Sequence, residues 1–199
     1  MKKILIATAV GMLAAAQVAA QESPWLVRAR AVNLQMANEN SASLTAGGFN
    51  LAVNNKTIPE VDVTYFLNKN VAAELILTVP QSQNVTNAGA PLGTFKHLPP
   101  TLTLQYHFTD LGAYKPYVGA GLNYTKISSV SLGGYQLDNH SYGAAFQVGV
   151  DVPLDTRWSL NLDVKKVYLK TDVYSAAGAN AGTLKLDPVL FGVGVGYRF

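Results

Sequence analysis

The sequence predicts an all-β fold, an eight-stranded antiparallel up-and-down transmembrane β-barrel. Three observations carry the prediction. Apolar residues alternate with small or polar ones, and this two-residue period recurs eight times between Trp25 and Phe199. The connections between these segments are alternately short and long, the outer-membrane pattern. Charged residues make up 14% of the chain, against roughly 25% in ordinary soluble domains, as expected if one face of every strand meets lipid.

The front of the chain is separate. Lys2 and Lys3 precede an apolar run, Ile4 to Ala16, too short to span a bilayer, and Val18-Ala19-Ala20 supplies small residues before Gln21. This is the form of a secretory signal peptide, residues 1–20, cleaved after Ala20 to leave a barrel domain of 21–199. No later run approaches the roughly 18 apolar residues of a membrane helix. The formal charge of +3 includes Lys2 and Lys3 and falls to +1 without them, so nothing points to nucleic acid. With no cysteine, disulfides, thiolate metal sites and cysteine nucleophiles are excluded.

The strands follow in order. Near 24–34, Trp25, Val27, Ala29 and Ala31 oppose Arg28 and Arg30. Near 60–67, Val61, Val63, Tyr65 and Leu67 oppose Glu60, Asp62 and Thr64. After the Asn68-Lys69-Asn70 turn, Val71 to Val79 set apolar residues against Glu74, Ile76 and Thr78. Leu102, Leu104, Tyr106 and Phe108 then face away from Thr101, Thr103, Gln105 and His107. The fifth strand, near 117–127, opposes Val118, Ala120, Leu122 and Tyr124 to Gly119, Gly121, Asn123 and Thr125. The sixth opposes Tyr142, Ala144, Phe146, Val148 and Val150 to Ser141, Gly143, Ala145, Gln147 and Asp151. The seventh opposes Trp158, Leu160, Leu162 and Val164 to Asn161, Asp163 and Lys165. In the eighth, Val189 to Phe199, apolar and aromatic residues alternate with Leu190, three glycines and Arg198. Its length suits a tilted membrane strand of roughly 9–11 residues.

Short connections fall at 68–70, 109–115 and 153–157, and long ones near 35–59, 80–98, 128–140 and 167–187. A soluble sandwich, the competing all-β fold, has no reason to segregate its loops this way. The long loops, rich in Asn, Gly, Ala and Ser, are expected on the outer side as mobile surface segments. Tyr65, Tyr106, Phe108, Tyr114, Tyr117, Tyr124, Trp158, Tyr197 and Phe199 lie near strand ends, where rings favour the membrane–water boundary.

More specific runs then appear: His97-Leu98-Pro99-Pro100-Thr101-Leu102, Pro116-Tyr117-Val118-Gly119-Ala120-Gly121-Leu122-Asn123-Tyr124-Thr125, Gly143 to Asp151, Leu186-Asp187-Pro188 and the closing Gly196-Tyr197-Arg198-Phe199. In this order they resemble the outer-membrane protein W (OmpW) family, from about residue 25 to the end. The resemblance implies a monomeric barrel in the bacterial outer membrane with a narrow, partly apolar lumen and passive uptake of small hydrophobic molecules. The alternative is a structural or receptor barrel whose long loops dock partners, bacteriocins or phage as the resemblance implies for some members, and whose lumen transports nothing. Val189–Phe199 resembles the terminal strand that the barrel-assembly machinery recognises.

Strand parity turns Arg28, Arg30, Glu60, Asp62, Glu74, Asp163, Lys165 and Arg198 inward. An eight-stranded barrel is barely wider than its side chains, so these charges are expected to form a salt-bridged plug in the lower lumen. Charges solvated in a wider lumen are the alternative. Leu34, Phe49, Leu51, Ile76, Leu98 and Leu190 are the expected apolar lining. Pro99 and Pro100 cannot donate to a ladder and mark a lateral exit into the bilayer, unless they only begin a strand after a rigid turn. The resembled family has an aromatic where this chain has Lys165, so no apolar gate is expected there. No catalytic constellation emerges: the histidines are His97, His107 and His140, and His140 and Ser141, being adjacent on a strand, point to opposite faces. No cofactor or metal site is expected.

Overall fold

The computed structural model describes residues 23–199, so the expected signal peptide lies outside the described residues. In chain order the elements are β1 (Trp25–Gln35), β2 (Glu39–Asn40), α1 (Ala42–Ala46), β3 (Leu51–Val53), β4 (Lys56–Phe66), β5 (Val71–Thr78), β6 (Gln81–Asn87), β7 (Ala90–Leu98), β8 (Thr101–His107), β9 (Lys115–Ser131), β10 (Gln136–Leu137), β11 (His140–Pro153), β12 (Trp158–Val167), β13 (Lys170–Tyr174), β14 (Asn180–Lys185) and β15 (Val189–Arg198). Eight of these, β1, β4, β5, β8, β9, β11, β12 and β15, pair antiparallel in that order, and β15 pairs back onto β1. The barrel is closed, which leaves no unpaired edge in the hydrocarbon.

Strand parity decides what faces lipid. Leu75, Leu102, Leu122, Val148, Leu162 and Val193 are exposed, whereas the intervening residues of the same strands are mostly buried. Edge-on aromatic pairs mark the lower boundary: Trp25–Tyr65 at 4.7 Å, Trp158–Tyr197 at 4.9 Å and Tyr197–Phe199 at 5.0 Å between centroids. Tyr124 and Tyr142, 5.1 Å apart, mark the upper one. Tyr117 is the exception to the expected girdle. It is fully buried in the lumen, because its parity on β9 is that of Gly119 and Gly121.

Glycines inside the wall leave room for long side chains. Arg28 and Arg30 pair across from Gly196 and Gly194, and a Cβ on Gly194 would stand 2.7 Å from Arg30 Cγ and 2.1 Å from Ala29 O. A Cβ on Gly149 would meet the Tyr117 ring at 2.4 Å. The glycine-rich inner face of β15 is therefore the space that two arginines occupy.

The long connections are not loose loops, which corrects the expectation from composition. Residues 81–98 form the hairpin β6–β7, turning at Ala88 and Gly89 with positive φ, and β9 continues to Ser131. β10, β13, β14 and β2 make a second, four-stranded sheet. The hairpin opens on a run that sets polar against polar, Gln81-Ser82-Gln83-Asn84, where the two-residue period carries no hydrophobic contrast. Leu44 of α1, Leu51, Val85, Phe95, Ile127, Leu132, Leu169, Val173 and Leu184 close over one another as an apolar roof above the barrel.

Candidate functional site

The lower lumen is filled by a charged network. Arg28 Nε and Nη2 clamp Asp151 at 3.1 and 2.7 Å, while Nη1 reaches Thr64 Oγ1 at 2.9 Å, Asp62 at 3.2 Å and Glu74 at 3.3 Å. Arg30 Nη2 contacts Asp62 at 2.5 Å and Glu74 at 3.1 Å. Its Nε lies 3.0 Å from Glu60 Oε1, an ion contact without hydrogen-bond alignment. Lys165 Nζ donates to both Glu60 oxygens at 3.2 and 3.3 Å and lies 3.8 Å from Asp163. The Tyr117 hydroxyl donates to Asp163 at 2.9 Å and accepts from Asn161 at 3.1 Å. Gln147 of β11 donates to Glu74 of β5 at 2.7 Å. Such contacts join strands on opposite sides of the barrel, so side chains occupy its whole cross-section. Buried charges of this kind are tolerated only when paired and hydrogen-bonded.

Seven of the eight residues expected in the plug meet in this network; Arg198 belongs elsewhere. It sits lower, with its guanidinium 4.5 Å from the Phe66 ring and Nε donating to Ser23 O at 2.9 Å, because β15 brings it to the periplasmic end opposite Leu26. Sequence reasoning missed Tyr117, Asp151, Gln147 and Asn161. Inward parity on β9, β11 and β12 was the available signal for all four.

Above this floor and below the roof lies an internal cavity of about 30 Å³, room for one or two waters. Leu34, Ile58, Ile76, Val167, Leu169 and Leu190 make its walls, and Glu60 and Lys165 its floor. Three expected lining residues are not there. Leu51 is part of the roof, and Phe49 packs on that roof with its ring 5.3 Å from Tyr135. Leu98 shares the outward parity of Lys96, so His97 takes the lining position instead. His97, above the Tyr124 level in the extension, has Nε2 3.0 Å from Gln83 Nε2. Burial, aided by the Lys56 ammonium, pushes its imidazole down to about 4, so it is neutral at pH 7.

The wall beside this cavity is interrupted on one side. The β5–β8 ladder ends at Ile76–Thr101 and the β6–β7 ladder begins at Gln81–His97. Between them residues 77–80 face residues 98–100 with no paired register, and Pro80, Pro99 and Pro100 fall in this gap. Pairing to β9 runs on through the same stretch, from Leu98–Lys126 to Thr101–Asn123, with Tyr124 N donating to Pro100 O at 3.0 Å. Carbonyls at the gap are satisfied from nearby. Gln81 Nε2 donates to Val79 O at 3.0 Å, and Asn123 Nδ2 lies 3.3 Å from both Pro99 O and Pro100 O. Pro99, Thr78 and Thr101 border both the gap and the cavity.

Comparison with known proteins gives this barrel its relatives. A family model described as the OmpW family matches residues 21–199. The chain belongs to the OmpW family. It is 46% identical over 92% of its length to the uncharacterized outer-membrane protein y4mB of Sinorhizobium fredii, covering 82% of that protein. To outer membrane protein W of Vibrio cholerae it is 33% identical, with 90% of each chain covered. To the dibenzothiophene metabolism operon protein PahQ of Pseudomonas aeruginosa it is 31% identical, again with 90% of each covered. The crystal structure of OprG from Pseudomonas aeruginosa superposes with a TM-score of 0.75 at 22% identity, over 92% of this chain and 99% of that one, a likeness of fold. This OmpW-family chain is thus an outer-membrane barrel, and its family is one of outer-membrane barrel proteins and not of enzymes. His140 is exposed and Ser141 buried, on opposite faces of β11.

Proposed function

We propose that the protein is a passive channel for small hydrophobic molecules that enter from the cell exterior and leave sideways into the bilayer. The observation that carries this reading is the one-sided ladder gap at 77–80 and 98–100, which borders an apolar cavity with charge below and an apolar roof above. The network acts as a plug that denies the solute a route to the periplasm, because an apolar molecule gains nothing by displacing paired charges. The seam offers the low-energy way out: few backbone hydrogen bonds hold it, and lipid lies directly outside. The cavity must widen to admit a solute, so closed and open states are expected to exchange. A relative named for a dibenzothiophene metabolism operon agrees with an apolar aromatic cargo. Export by a cleaved 1–20 signal peptide and recognition of Val189–Phe199 by the assembly machinery belong to the same proposal.

The test is uptake by cells lacking the protein, with and without its restoration, using a small apolar probe and a charged solute of similar size. Restoration is expected to speed entry of the apolar probe alone. Faster entry of both would mean a water-filled pore. No change in either would favour a receptor barrel.

A further inference from the structure

The outward surface just above the upper aromatic boundary carries a cluster of basic side chains on one flank. On the β7–β9–β11 flank, Lys126 and His140 are direct cross-strand partners. Lys96 pairs with Ser128, two residues along β9 from Lys126. Directly opposed side chains have Cβ atoms about 5 Å apart and diagonal ones about 7–8 Å, so the three basic side chains form one patch. All three are exposed.

No carboxylate on these strands shares that outward face. Asp138, the nearest in sequence, is turned away: its oxygens accept from Tyr174 OH and Asp172 N, both at 3.1 Å. Two other exposed lysines have acidic partners, Lys185 with Glu39 at 3.9 Å and Lys69 with Asp110 at 2.6 Å, and Lys170 stands directly across from Lys185 of the first pair. Among the described residues no ion pair joins Lys96 or Lys126 to an acid. Lys96 and Lys126, diagonal neighbours of like charge, therefore have no acid among the described residues to offset them.

The depth of the patch is fixed from below. The Tyr124 and Tyr142 rings lie on the same two strands one outward position lower, and the His140 ring is 5.7 Å from that of Tyr142. Tyrosine at such a boundary sits at headgroup level, so the patch stands among the headgroups of the outer leaflet. Phosphate is the anion such headgroups offer, and clustered basic side chains at a membrane surface gain about 1 kcal/mol each from it.

We propose that Lys96, Lys126 and His140 form a binding site for the phosphorylated headgroup of an outer-leaflet lipid. Two ammonium groups on flexible stems close on the phosphate oxygens while an imidazole N–H donates a hydrogen bond beside them. The site lies next to the seam, since Leu98 follows Lys96 on the outward face of β7 and borders the unpaired stretch. A lipid held there would stand at one lip of the lateral gap. The site does not depend on transport.

The test uses the purified mature protein in neutral-detergent micelles titrated with bis-phosphorylated lipid A, read by native mass spectrometry. The probes beside it are the same lipid with its phosphates removed and inorganic phosphate alone. The variants are Lys96→Gln/Lys126→Gln/His140→Gln and, as a control on the other flank, Lys170→Gln/Lys185→Gln. These exposed substitutions leave the barrel intact, which heat-modifiable gel migration checks. The expected result is binding of the bis-phosphorylated lipid to the native protein and to the control. The triple variant should bind roughly 10–100-fold more weakly, and the dephosphorylated lipid should be similarly weak. Equal binding by the triple variant, or equal binding of the dephosphorylated lipid, would overturn the proposal. Displacement of the lipid by inorganic phosphate at equal concentration would overturn the assignment to a headgroup.

Discussion

Replacing Arg28 by leucine is expected to lower the barrel's free energy of unfolding by about 3–5 kcal/mol, the size associated with removing one partner of a buried ion pair. Arg28 is fully buried and its guanidinium serves Asp62, Glu74, Asp151 and Thr64 at once. Leucine fills some of the volume but leaves Asp151 and part of the Asp62–Glu74 pair facing the lumen without their main cation. The network already contains five carboxylates, Glu60, Asp62, Glu74, Asp151 and Asp163, against three cations, Arg28, Arg30 and Lys165. Losing one cation deepens that imbalance. Equilibrium unfolding in micelles measures the loss. Adding Asp62→Asn and Asp151→Asn to the leucine variant should recover much of it, because what destabilises is the uncompensated charge. A loss below about 1 kcal/mol, the range of exposed pairs, would mean that the lumen is wet and the plug is no plug.

The second large effect is expected at Pro99 and not at Pro100. In an antiparallel ladder the N–H and C=O of one residue point to the same neighbour, and successive residues alternate sides. Pro100 O accepts from Tyr124 N, so residue 100 addresses β9 and residue 99 addresses the seam with β5. Pro99→Val supplies a donor where the gap lies; Pro100→Val supplies one to a ladder that is already continuous. One or two added hydrogen bonds, each contributing about 0.5–1.5 kcal/mol, should make opening of the seam roughly tenfold rarer. Initial rates of apolar-probe uptake should fall by about that factor in Pro99→Val and stay near native in Pro100→Val. Equal rates in both would remove the seam from the transport route.

The barrel was legible because lipid imposes a simple demand. One face of each strand must be apolar, and that contrast survives in the sequence from Trp25 to Phe199. Inward parity also located Arg28, Arg30, Glu60, Asp62, Glu74, Asp163 and Lys165, since the two-residue period assigns a face to each residue. What parity cannot supply is height along the axis or reach across the lumen. Arg198 has the right face but the wrong depth, and Phe49 and Leu51 belong to a layer above the cavity. Leu98 was misplaced by one residue of strand phase. Tyr117 was read for its aromatic character when its parity, shared with Gly119, pointed inward. The ordered extension was hidden because its strands shelter behind one another and need no lipid-facing contrast.

The chain has no cysteine, so the seam can be closed and reopened by a single engineered disulfide. Continuing the lower β5–β8 register past Ile76–Thr101 sets Val79 across from Leu98, both on the outward face. Uptake of the apolar probe by Val79→Cys/Leu98→Cys, measured oxidised and then after reduction, tests the lateral route directly. Oxidation is expected to abolish uptake and reduction to restore it. Equal uptake by the oxidised and reduced forms, with the bond verified by mass, would contradict that route.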